Sequence, residues 1–244
     1  MDFDSKVFFD ALTSQNFRDG AITAIALTAV SQLTAVVIGL ILAVMRESRF
    51  GPLRAVSWTY VWIFRAIPTL LQLLFVWNAL PQLFPGLVRA EWFNAFVAAW
   101  LALSINEGAY MAEIVRGGLL AIDDGQRLAA RALGMTPASV FRKVILPQVV
   151  RVIIPPTANE FITMLKITSL ASAISLQELL TYTQQNISTT FKFAEFYAAA
   201  AVYYLAIVSV FMFIQSRLER RFLWTSQRGE GGRLASTLRG LGAR

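Results

Sequence analysis

Runs of residues without Asp, Glu, Lys or Arg alternate along this chain with short charged stretches, and the runs have the length of membrane-crossing helices. Residues 21–45 carry none of the four charged types. At about 1.5 Å rise per residue such a run exceeds a hydrocarbon core of roughly 30 Å, which predicts the first span. Residues 55–80 hold one charge, Arg65, before Pro81 and Pro85-Gly86 break the pattern; they predict the second. Residues 92–116 begin at Trp92, a residue type suited to the interface, stay apolar to Asn106, then admit Glu107, Glu113 and Arg116. Residues 144–180 are apolar apart from Glu160, Lys166, Glu178 and a few other polar positions, and contain Pro147, Pro155 and Pro156; they predict a kinked or interrupted fourth helix. Residues 196–216 are uncharged and run into Arg217, Arg220 and Arg221, giving the fifth. The predicted fold is an all-α membrane protein, a bundle of five spans.

Composition agrees with that pattern. The 244 residues are 56% hydrophobic and 15% charged, too apolar for an ordinary soluble domain. There is no cysteine and no histidine, which excludes a disulfide framework, a Cys/His zinc site and a Ser-His or Cys-His nucleophile pair. No catalytic or metal-binding residue is expected. The net charge of +7 reports membrane topology before it reports nucleic acid, because cytoplasmic loops collect Lys and Arg. Sixteen of the 22 basic residues follow spans one, three and five; Lys6, Arg18, Arg89 and Lys192 lie on the other side, and Arg65 and Lys166 within spans. This distribution predicts an N-terminus outside and a C-terminus in the cytoplasm. Residues 1–20 carry Asp2, Asp4, Asp10 and Asp19 and lack the basic start and small-residue cleavage site of a signal peptide, so they read as an extracytoplasmic segment of the mature protein. Residues 222–244 form a Gly- and Arg-rich tail without apolar period, read as flexible, with contact to anionic membrane lipid as the alternative.

The longest cytoplasmic loop, residues 123–147, reads as two short helices. The first starts with Asp123-Asp124 and continues through Gln126, with Leu128, Ala129, Ala132 and Leu133 forming an apolar stripe and Gly134 placed to end it with positive φ. Thr136 suits the N-cap of the second and Pro137 its first turn, with Val140, Phe141 and Val144 on its apolar face. Packing under the bundle is one reading of this pair and contact with a separate chain is the other.

The segment Ala129-Ala130-Arg131-Ala132-Leu133-Gly134, followed after a capped turn by Ile145-Leu146-Pro147, resembles the coupling loop of permease subunits in ATP-binding-cassette importers. Leu128 stands where that family commonly carries glutamate. Further segments resemble the polar-amino-acid branch, the histidine/glutamine/glutamate/arginine type: Phe64-Arg65-Ala66-Ile67-Pro68-Thr69-Leu70-Leu71-Gln72, Gly108-Ala109-Tyr110-Met111-Ala112-Glu113-Ile114-Val115-Arg116-Gly117-Gly118, Asn159-Glu160-Phe161 and Lys166-Ile167-Thr168-Ser169-Leu170. At Ile167 the family commonly has an acidic or polar residue. The resemblance covers roughly residues 20–221. It implies the five-helix permease domain of a type I importer in the bacterial inner membrane. The implied partners are an ATPase subunit, a second permease subunit, identical or homologous, and an extracytoplasmic substrate-binding protein. Residues Gln126, Leu128, Ala129, Ala130, Leu133, Gly134, Met135, Val140 and Phe141 would contact the ATPase. The chain has no Gly-x-x-x-x-Gly-Lys-Ser/Thr loop, so ATP and Mg²⁺ are expected in the partner ATPase and no cofactor in this chain.

A charge in hydrocarbon costs at least about 2.5 kcal/mol, so ionisable residues within spans face a partner, the bundle interior or water. Arg65, Glu113 and Lys166 suit structural pairs. Glu107, beside Asn106 and near the expected midplane, suits either a buried pair with Lys166 or Arg65 or a ligand for the cationic group of an amino acid. Pro68, Thr69, Gln72, Asn106, Glu107, Tyr110, Lys166, Thr168 and Ser169 are the candidates for a substrate pathway, since broken helices with freed carbonyls and hydroxyls line polar passages through membranes. An ion-gradient-driven transporter or channel for small polar solutes, acting alone, is the rival reading.

Overall fold

A computed structural model describes residues 3–223. Helix α1 (Ser5–Thr13) begins at Asp4, whose carboxylate accepts from the amides of Lys6 and Val7. Ser14 caps α2 (Gln15–Arg46). Then come α3 (Gly51–Ala66), α4 (Thr69–Leu74), a π-helical turn over Phe75–Ala79, α5 (Leu80–Leu83) and a 3₁₀ turn over Pro85–Arg89. Asn94 caps α6 (Ala95–Leu120) by accepting from the Val97 amide. Beyond it lie α7 (Asp124–Ala132), α8 (Pro137–Val140), a second π turn over Phe141–Ile145, α9 (Leu146–Ile167), a 3₁₀ segment over Thr168–Ile174, α10 (Leu179–Thr190) and α11 (Phe193–Leu223). The fold is all-helical, with no strand among the described residues. Helices α2 and α11 are long and apolar enough to cross a membrane, and the pair Gly51–Ala66 and Thr69–Leu83, bent by 102°, is a third such element.

The most extensive interface joins α2 to α6. Small buried residues line both helices, Ala24, Ala35 and Gly39 on α2 and Ala98, Ala102, Ala109 and Ala112 on α6, and Gly39 lies against Met111 and Ala112. A β-carbon on Gly39 would sit 2.5 Å from Cβ of Met111 and 2.8 Å from its carbonyl carbon. Without a hydrophobic force between helices in lipid, such close backbone approach is the main source of packing energy. At the other face α1 lies on α11, joined by the Lys192 Nζ to Asp4 bond at 2.9 Å and by the Tyr203 hydroxyl donating to the Leu12 carbonyl at 2.8 Å. The ammonium of Lys192 holds the Asp4 carboxyl below the usual carboxylate range.

The bend between α3 and α4 has a chemical cause. In a continuous helix the Phe64 carbonyl would accept from the amide of residue 68, and Pro68 has none. Two side-chain amides replace it: Asn106 Nδ2 at 2.9 Å and Gln72 Nε2 at 3.0 Å. Gln72 Nε2 also reaches the Ile67 carbonyl at 2.8 Å. Pro68 biases Ile67 out of the helical region, and its ψ is 131°.

Several elements depart from the sequence expectation. The second predicted span, 55–80, is two helices at a sharp angle, because its one proline falls where both a donor and helical geometry are lost. In the fourth, α9 stays helical through Pro155 and Pro156; the interruption expected of residues 144–180 does occur, at Thr168, where the helix tightens to a 3₁₀ segment ending in left-handed Ser175 (φ 59°). Helices α1 and α10 were not anticipated; each is short and polar enough to look like loop. The predicted flexible tail from residue 224 onward lies outside the described residues.

Two stability outcomes follow from this packing. Gly39→Val should destabilise the purified chain by about 1–3 kcal/mol through overpacking against Met111, read as a lowered unfolding midpoint in detergent. Gln72→Leu leaves the Ile67 carbonyl bare and should cost about 1–3 kcal/mol, more than Asn106→Leu, after which Phe64 keeps the Gln72 donor; the reverse order would contradict the assignment of donors.

Candidate functional site

The loop after α6 is built as two capped helices. Asp123 caps α7 through the Gly125 amide, and Thr136 caps α8 through the Ser139 amide. Between them the Met135 amide donates to the Ala130 carbonyl (3.2 Å) and the Gly134 amide to the Arg131 carbonyl (2.9 Å). These two bonds are a Schellman cap, and Gly134 supplies the left-handed residue it needs at φ +78°. Pro147 offers no N–H to the Lys143 carbonyl, and the turn before it widens to the π form.

The cap divides the predicted coupling residues into two sets. Leu128 (66% exposed) and Leu133 (83%) face outward, with Gln126, Ala129, Gly134 and Phe141 also exposed. Ala130 and Val140, expected on the partner face, are buried instead, in a cluster with Ile122, Ile145 and Val149 that Met135 packs against. Ala130 points inward because the Schellman cap brings Met135 over it, so these residues support the outward surface without belonging to it. Leu128 and Leu133 thus leave apolar area at the loop surface that no other described residue covers.

The second group of candidates gathers at the α3–α4 bend. Gln72 and Asn106 are buried and donate to freed carbonyls as described above; Thr69 Oγ1 lies 3.4 Å from Asn106 Oδ1, and Pro68 is exposed beside them. Glu107 follows Asn106 on α6 and is 2% exposed. It forms no ion pair among the described residues, with neither Lys166 nor Arg65, and its Oε1 has no hydrogen-bond partner. Helix α9, which carries Glu160, packs on α6. Arg65 instead stands 5.3 Å above the Tyr110 ring. Around that contact lies a cavity of about 470 Å³ lined by Arg46, Trp58, Trp62, Arg65, Tyr110 and Glu113. Glu113 itself pairs with Arg116 at 2.6 Å.

The α9 candidates are set apart from the Glu107 carboxylate. Lys166 is exposed at the end of α9, buried Thr168 donates to the Leu165 carbonyl and Ser169 to the Lys166 carbonyl. Their 3₁₀ segment packs on α4 and α6, which brings the end of α9 to the bend. Glu160 was visible in the sequence as an intramembrane charge, but the packing of its helix on α6 is a fact that one-dimensional spacing does not carry.

This architecture has counterparts. The family described as the binding-protein-dependent transport system inner membrane component matches residues 35–224. The arginine transport system permease protein ArgU of Corynebacterium glutamicum is 42% identical over 211 residues, 83% of this chain and 66% of that protein. The glutamine transport system permease protein GlnP of Escherichia coli is 38% identical over 185 residues, covering 76% of this chain and 83% of that one. The crystal structure of an amino acid ABC transporter with histidines superposes with a TM-score of 0.79 at 37% identity, over 91% of this chain and 99% of that chain. The chain therefore belongs to the family of binding-protein-dependent transport system inner membrane components.

Proposed function

We propose that the chain is the permease subunit of an ATP-driven importer that carries polar amino acids from an extracytoplasmic binding protein into the cytoplasm. The outward leucine face of α7, ended by the Schellman cap at Gly134, is the observation that carries the reading. A membrane protein with no phosphate-binding loop gains nothing from a capped helix pair with exposed leucines unless another chain covers it. That chain is an ATPase, which holds ATP and Mg²⁺ and moves α7 and α8 as its nucleotide state changes; the shift is limited by the difference in its contacts with the two states. The names and functions of the amino-acid permeases similar to this chain support the substrate class.

The proposed topology has five spans, built on α2, the bent α3–α4 pair, α6, α9 and α11, with the N-terminus outside and the C-terminus in the cytoplasm of a bacterial inner membrane. The basic residues support it by their one-sided distribution. A second permease subunit, identical or homologous, completes the passage. Substrate passes the α3–α4 bend at exposed Pro68, and the carboxyl groups of Glu107 and Glu160 accept hydrogen bonds from its ammonium group.

Reconstitution with the cognate ATPase and binding protein tests the reading. Leu133→Asp places a charge on an 83% exposed position and so leaves the bundle folded, while weakening ATPase docking by about 2 kcal/mol or more, roughly thirtyfold. Uptake should fall accordingly with hydrolysis no longer stimulated by loaded binding protein; uptake at the wild-type rate would sink the coupling assignment. Glu107→Gln, close in shape, should reduce the apparent affinity for the transported amino acid by about tenfold or more. An unchanged substrate profile in ATPase stimulation would return Glu107 to a packing role.

A further inference from the structure

A second cavity, of about 450 Å³, opens between α2, α6, α9 and α11, away from both sites described above. Its walls are stripes at helical spacing: Val36 and Leu40 on α2, Ile154 and Ala158 on α9, Ile214 and Leu218 on α11. The few polar residues in its lining have their donors engaged. Thr157 donates to the Ile153 carbonyl, Gln215 to the Glu219 carboxylate and Gln32 to the Met111 sulfur. Gln32 Oε1 has no partner among the described residues; the rest of the lining is predominantly apolar.

Its mouth differs. Arg151 lies one turn before Ile154 on the stripe that carries Ile154 and Ala158, and Arg221 one turn after Leu218 on the stripe of Ile214 and Leu218. Both arginines are exposed; the Phe161 and Phe211 rings, 4.8 Å apart, set α9 and α11 antiparallel across the groove, so helical spacing puts each arginine about 5 Å beyond a lining residue, Ile154 or Leu218, at the same end. Arg217, one turn from Phe213, has its guanidinium 4.8 Å above that ring and adds a third positive charge at this end. An apolar slot within the span region, with guanidinium groups one helical turn beyond its lining, matches the two halves of one molecule: an acyl chain and an anionic phosphate head group. Basic pockets between spans on the cytoplasmic side are built for that chemistry, and planar guanidinium groups engage phosphate bidentately.

We propose that the α2–α9–α11 groove binds one anionic phospholipid, its acyl chain beside Ala158 and its phosphate between Arg151 and Arg221. The proposed topology enters only in assigning the lipid to the cytoplasmic leaflet. Occupancy would fix the separation of α9, which continues from the coupling helices, from α2 and α11, so lipid and ATPase would act on the same helix from two sides.

Native mass spectrometry of the full-length chain in detergent, with dioleoyl-phosphatidylglycerol or dioleoyl-phosphatidylcholine added, tests this. The wild-type chain should retain phosphatidylglycerol preferentially. Arg151→Gln with Arg221→Gln, both at exposed positions, should lower that retention about thirtyfold, each arginine contributing about fivefold. A photo-crosslinking benzoylphenylalanine at position 158 should yield lipid adducts. Unchanged retention by the double variant, or chain-to-chain adducts from position 158, would overturn the proposal; the latter would mean that a helix of a second copy fills the groove. The measurement needs no ATPase and no transported solute, so its failure leaves the importer reading standing.

Discussion

The carbonyl of Phe64 loses its helical donor at Pro68, and in a hydrocarbon surrounding no water stands ready to replace it. An unsatisfied backbone group there costs several kcal/mol, so the bend can exist only where the protein supplies donors of its own. Gln72 and Asn106 do so. That requirement fixes much else. It holds α4 against α6, sets Asn106 at the bend, and makes the next residue, Glu107, part of the same buried neighbourhood. It also turns a straight span into a corner with exposed Pro68 at its vertex, which is where irregular backbone in a membrane can line a passage.

Helix α6 links this corner to the coupling surface. One face packs on α2 through glycine and alanine, too closely for either helix to slide without a clash between Gly39 and Met111. The same helix carries Asn106, Glu107, Tyr110 and Glu113 along its length and leads, through Ile122, into the cluster that seats α7 and α8. A displacement of the coupling helices thus meets a stiff α2–α6 pair on one side and the start of α9 on the other. Packed elements of this kind respond as discrete arrangements more than as continuous deformation.

Much of this was legible in the residues. The uncharged runs mark α2 and α11, Asp123, Thr136, Pro137 and Gly134 mark the coupling pair by their capping chemistry, and Pro68 marks a break. Legibility ended where partners are distant in sequence. Nothing local says that the amide owed to Phe64 comes from Asn106, forty-two residues on, or that Ala130 turns inward under Met135 while Ala129 beside it turns out. Pro155 and Pro156 misled in the other direction: their composition argues for a break, yet α9 absorbs them, because its neighbours pack it from several sides and the change in helix type comes only at Thr168. Helices α1 and α10 escaped notice because short segments of mixed polarity owe their form to the surfaces they lie on.

Asp4 and Lys192 are separated by 188 positions in the chain and by 2.9 Å in space, and Tyr203 reaches back to Leu12 in the same way. Helix α1 thus finds its seat on α11 only after the helices between them in sequence have been made. Until then Phe8 and Ala11, which pack with Phe196 and Ala199 in the finished protein, have no cover but lipid or a chaperone. The contact between α1 and α11 can close only when α11 has been made, after the contacts among the helices that precede it have become possible.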